Sequence, residues 1–92
     1  MFVVILNWKD GENDPFTSFN RVLASYLDAS GKRSKTLELS DANWINQIVD
    51  LKCDGIDFVF TWQGLGTGVT VGEKEQSFWD VLQVPLIAYH GD

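Results

Sequence analysis

Two tryptophans stand where ring chemistry would be of use. Trp8 and Trp62 each close an apolar, β-branched run, Phe2 to Leu6 and Ile56 to Thr61. An indole offers a broad apolar face and a single N–H donor. Asn7, Asp10 and Asn13 lie close to the first ring in the chain and Gln63 next to the second. Two rings with amides and a carboxylate around them suit stacking on a sugar or another ring, with hydrogen bonds at its edge. The alternative is that one or both indoles plug the top of a sheet.

A second group is Gly64-Leu65-Gly66-Thr67-Gly68. Closely spaced glycines let backbone amides approach an anion, so Gly64, Gly66, Thr67 and Gly68 have the look of a phosphate cradle. The pattern is incomplete. Val69 stands where a dinucleotide fingerprint has its third glycine, no Lys-Ser or Lys-Thr step of a P-loop is present, and the run follows the third strand signal rather than the first. A flexible connector or substrate-side lid is the better expectation. Tyr89-His90-Gly91-Asp92 places a polar ending on an apolar strand, so His90 and Asp92 are candidates for binding or acid–base work.

Other chemistries are excluded by residue type. The acids at 10, 12 and 14 suggest a calcium loop, but Pro15 and Arg21 occupy the positions where an EF-hand needs glycine and glutamate. With one His and one Cys, the chain lacks a side-chain set for structural zinc, and neither a metal nor a cofactor is expected. Cys53 cannot form an intramolecular disulfide and is expected to be a small, buried or half-buried apolar residue. No nucleophile with a positioned base can be named.

The elements that must hold these groups follow from periodicity. Phe2 to Leu6 has no polar alternation, as in a strand covered on both faces. Asp14-Pro15 opens a helix in which Phe16, Phe19, Val22, Leu23, Tyr26 and Leu27 recur at steps of three and four. Gly31 ends it, with Lys32, Arg33 and Lys35 placed to favour its negative end. Thr36 to Leu39 reads as a second strand. Ser40 or Asp41 caps a second helix carrying Trp44, Ile45, Ile48 and Val49, closed by Asp54-Gly55. Ile56 to Thr61 is the third strand, Glu75 to Leu82 a third helix, and Val84 to Tyr89 a fourth strand with Pro85 in its first turn.

The order βαβαβαβ demands parallel strands and right-handed crossovers. The predicted fold is an open, mainly parallel α/β sheet of Rossmann type, strand order 2-1-3-4, with helices on both faces. Ligands in such sheets gather at the carboxyl ends of strands beside the reversal of winding, here between the first and third strands. Trp8 and Trp62 would then flank one crevice, while Trp44 and Trp79 fall among apolar neighbours in the core.

The 92 residues suffice for one domain spanning 1–92, since a chain of this size hides only about 60–65% of its unfolded surface. Hydrophobic residues at 45% and charged ones at 22% argue for a folded chain. A net charge of −6 argues against nucleic acid as a partner. The opening apolar run is too short for a membrane span or signal sequence, and the expected compartment is the cytoplasm.

Phe2-Val-Val-Ile-Leu, the helix Ser18 to Leu27, Asp57-Phe-Val-Phe-Thr and Phe78-Trp-Asp-Val-Leu-Gln-Val-Pro-Leu-Ile-Ala-Tyr-His-Gly-Asp together resemble the first half of the N-terminal Rossmann-like domain of GT-B glycosyltransferases. The resemblance implies an acceptor-binding fragment of an enzyme that transfers a sugar from a nucleotide-sugar, inactive alone because the donor is held chiefly by a C-terminal domain. A small flavodoxin-like binding or regulatory module acting as a dimer is the alternative. A sheet ending at its fourth strand leaves an apolar edge, so a C-terminal domain or a second copy joined through that edge is expected to cover it.

Overall fold

The computed structural model describes residues 1–8 and 15–89. The chain runs β1 (Phe2–Asn7), α1 (Pro15–Ala29), β2 (Arg33–Glu38), α2 (Trp44–Lys52), β3 (Phe58–Trp62), β4 (Thr70–Val71), β5 (Gln76–Ser77), α3 (Phe78–Leu82) and β6 (Leu86–Tyr89). β2, β1, β3 and β6 lie side by side in that order, every pair parallel, and β4 and β5 form a small antiparallel hairpin. The main sheet therefore has the expected 2-1-3-4 order, and the winding reverses between β1 and β3.

All six residues of β1 are buried, because helices cover both of its faces. On one face Val3 and Ile5 pack with Leu27, Leu23 and Ala24 of α1 and with Phe58 and Phe60 of β3. On the other, Val4, Leu6, Leu37 and Val59 meet Trp44 and Ile48 of α2 and Phe78, Trp79 and Leu82 of α3. This second core carries the rings of Trp44 and Trp79, stacked with centroids 6.2 Å apart. Lys52 Nζ donates to the Leu82 carbonyl, joining the two helices over that face.

Local chemistry sets the boundaries. α1 stops in a Schellman arrangement, with the amide of Lys32 donating to the Leu27 carbonyl at 2.9 Å and that of Gly31 to Asp28 at 3.0 Å. Gly31 takes φ +77°, which a Cβ would disfavour. Asp57 accepts from the Phe2 amide at 2.6 Å and thereby ties the start of β1 to the approach to β3.

Several expectations are corrected. The second strand begins at Arg33 rather than Thr36, so Arg33 and Lys35 are strand residues and not helix-end charges; Arg33 lies over the Phe2 ring at 4.3 Å and pairs with Asp54 at 3.6 Å. α2 starts at Trp44 with Asn43 at its cap, and Asp41 instead accepts from the Asn43 amide at 2.9 Å in the preceding turn. The third helix is reduced to Phe78–Leu82, and the fourth strand begins at Leu86, after Pro85. Cys53 is exposed, because it falls just past the end of α2, where no element covers it.

The largest correction concerns α1. Thr17, Asn20 and Leu27 are its buried residues, whereas Phe16, Phe19, Val22 and Tyr26 are exposed. The orientation of α2 is testable by stability. Ile48 is wholly buried while Val49 is 44% exposed. Ile48→Ala is expected to cost about 3 kcal/mol and Val49→Ala less than about 1 kcal/mol in urea unfolding.

Candidate functional site

A crevice of about 270 Å³ opens at the carboxyl ends of β1 and β3, lined by Leu6, Asn7, Trp8, Phe16, Asn20, Trp62, Gln63, Gly64 and Leu65. The two indoles therefore share one groove, at the point where the winding reverses. Trp62 is the last residue of β3 rather than the first after it.

The two rings play different parts. Trp62 is half-buried and meets Phe19, Phe60 and Tyr89 edge-on, with centroids 4.5, 5.0 and 5.0 Å away. Its Nε1 donates to Asn20 Oδ1 at 2.6 Å. It is a fixed wall of the crevice, its donor already spent. Trp8 is 57% exposed and keeps the larger free ring surface.

Beneath the rings lies a buried amide cluster. Asn20 Nδ2 donates to Asn7 Oδ1 at 3.3 Å and to the Leu6 carbonyl at 3.4 Å, and Asn7 Nδ2 donates to Thr17 Oγ1 at 3.2 Å. Asn7, expected as an open hydrogen-bonding group, is thus chiefly engaged within the protein. On the β2 side of this cluster a second, more polar recess of about 200 Å³ is lined by Asn7, Thr17, Asn20, Arg21, Thr36 and Glu38.

The glycine-rich segment is folded onto the sheet. The amides of Gln63, Leu65 and Thr67 donate to the carbonyls of Tyr89, Trp62 and Gly64 at 2.7, 3.0 and 3.0 Å. Thr61 Oγ1 donates to the Leu65 carbonyl and Thr67 Oγ1 to the Gly64 carbonyl, each at 2.7 Å. Gly66 faces the core: its carbonyl accepts from Trp79 Nε1 at 2.7 Å. A Cβ there would lie 3.0 Å from Leu39 Cδ2 and 3.2 Å from Leu6 Cδ1. The amides of Leu65 and Thr67 are thus engaged in turns, and at Gly66 the segment is packed onto the core. Gly64 and Gln63 reach the crevice, whereas Gly66, Thr67 and Gly68 are absent from its lining.

Asp10, Asn13, His90 and Asp92 lie outside the described residues. Among the described lining of the crevice there is no carboxylate, His, Lys or Arg, and no group of three or more metal-ligating side chains occurs among the described residues. What remains is shape, ring surface and amide hydrogen bonding.

Asn20 is the residue that periodicity missed. Its signal was the spacing Thr17, Asn20, Ala24, Leu27, a second helical stripe in phase with one leucine. Asn20→Ala would strand the Trp62 N–H and part of the Asn7 amide, at an expected cost of about 2 kcal/mol. In a double-mutant cycle Asn20→Ala and Trp62→Phe should couple by about 1 kcal/mol, and strict additivity would show that the bond contributes nothing.

Comparison of the chain with family models, curated proteins and solved structures finds no match, so the crevice and its chemistry are what speak for function.

Proposed function

We propose that the crevice between β1 and β3 binds a small, uncharged, ring-shaped ligand, and that a sugar acceptor of a GT-B type glycosyltransferase is the ligand class best supported. The observation that carries this reading is the joint lining of one crevice by Trp8 and Trp62, with Gln63 beside them. A sugar ring presents apolar C–H faces to an indole and hydroxyls to amides. An anionic ligand would find no cation in the described lining, and its desolvation would go uncompensated.

In this reading the crevice holds the acceptor through ring faces and amides, and a transfer reaction would draw its donor site from a further domain. The sequence resemblance of Phe2 to Leu6, Ser18 to Leu27, Asp57 to Thr61 and Phe78 to Asp92 to a GT-B N-terminal domain supports this reading.

The two tryptophans give the test. Trp8→Ala is expected to leave the melting temperature nearly unchanged, because the ring is 57% exposed. It should weaken saccharide binding about tenfold, ~1.4 kcal/mol, in a fluorescence or saturation-transfer NMR titration. Trp62→Ala should lower stability as well. A panel of neutral mono- and disaccharides and nucleosides that leaves the indole emission and the NMR signals unmoved would overturn the reading.

A further inference from the structure

One face of the main sheet is half-covered. Four strands about 4.8 Å apart accommodate two helices about 10 Å apart. The Val4 and Val59 face carries both α2 and α3, whereas among the described residues α1 is the one helix packed on the opposite face, over Val3 and Ile5. Beside α1, the part of that face formed by β3 and β6 is open. Ile87 and Tyr89 pair in register with Phe60 and Trp62, so they point to the α1 side, and they are 47% and 54% exposed.

The apolar surface also climbs over α1 itself. Phe19 is 52%, Val22 67% and Tyr26 66% exposed, and by the 3.6-residue period Val22 lies on the far side of the helix from the buried Thr17 and Asn20. A helix laid in the open groove would cover the flank of α1 but not Val22. A second sheet laid across the top would cover it. The face is thus a ridge, α1, beside a groove of equal width, and a two-fold rotation places each ridge in the other copy's groove.

We propose that two copies of this chain associate through this face. The two α1 helices lie side by side between two sheets, and Phe19, Val22 and Tyr26 of each meet Phe60, Ile87 and Tyr89 of the other. Five half-exposed side chains, at roughly 100 Å² each, with the partly buried Phe60 beside them, remove about 1,000 Å² from water over both copies, which reaches the area a specific interface needs. The patch bears no charge in a chain of net charge −6, so the contact holds no like-charge pair, and the remaining long-range repulsion is screened by salt. The face, and not the free edge of β6, is the contact.

Sedimentation velocity and light scattering on the chain at high micromolar concentration read the outcome. The expected mass is twice 10.4 kDa, with a dimer fraction that rises with NaCl. Val22→Glu and Tyr26→Glu, both at exposed positions, should give monomers with an unchanged circular dichroism spectrum. Ser25→Glu, on the polar side of α1, should leave the dimer intact. A monomer of the parent chain throughout, a dimer that survives both glutamates or one that salt dissociates would overturn the proposal.

Discussion

The hydrogen bond from Trp62 to Asn20, with the Asn7 amide and the Thr17 hydroxyl behind it, joins α1 to the carboxyl ends of β1 and β3. Polar groups buried beneath a helix must find partners, since each one left unmet costs about 1–3 kcal/mol. The described residues leave no buried side-chain nitrogen or oxygen without one. Asn20 meets this requirement only with its amide turned to the strand tips, and that sets how α1 is rotated about its axis. With Thr17, Asn20 and Leu27 facing the sheet, Phe19, Val22 and Tyr26 are turned away from it.

The same cluster shapes the crevice. Trp62 is held by one hydrogen bond and by rings on several sides, so that wall is organised before any ligand arrives and little ordering entropy is lost on binding. Trp8, which lines the same crevice, is the exposed ring. The Asn7 and Asn20 amides beside it are engaged with one another and with the Leu6 carbonyl. Gly66 lies behind, where a Cβ would press on Leu39 and Leu6 and the φ of +79° disfavours any side chain.

Crevice and open face are not separate surfaces. Phe16 and Trp62 line the crevice, and both rings belong to the aromatic group that continues through Phe19, Phe60 and Tyr89 down the uncovered side of the sheet. The sheet below is rigid by comparison, with β1 buried along its whole length.

The sheet was legible residue by residue. Phe2 to Leu6 could only be a strand covered twice, because an unbroken apolar run has no face to give to water. Helical spacing in the two following segments then implied parallel strands with right-handed crossovers, among whose allowed orders the expected 2-1-3-4 is the one observed. Those inferences needed only neighbours in the chain. The hairpin at Thr70–Val71 and Gln76–Ser77 escaped notice because strands of two residues carry no period. The rotation of α1 escaped for a different reason: its apolar residues span so wide an arc that hydrophobicity alone allows several orientations. The choice among them is made by a hydrogen bond between residues 42 positions apart, an interaction that exists only once β3 has docked beside β1. Element type and sheet order thus belong to local pattern and chirality, while the phase of α1, the unequal parts of the two indoles and the bare half of the sheet were decided by which buried amides could reach one another.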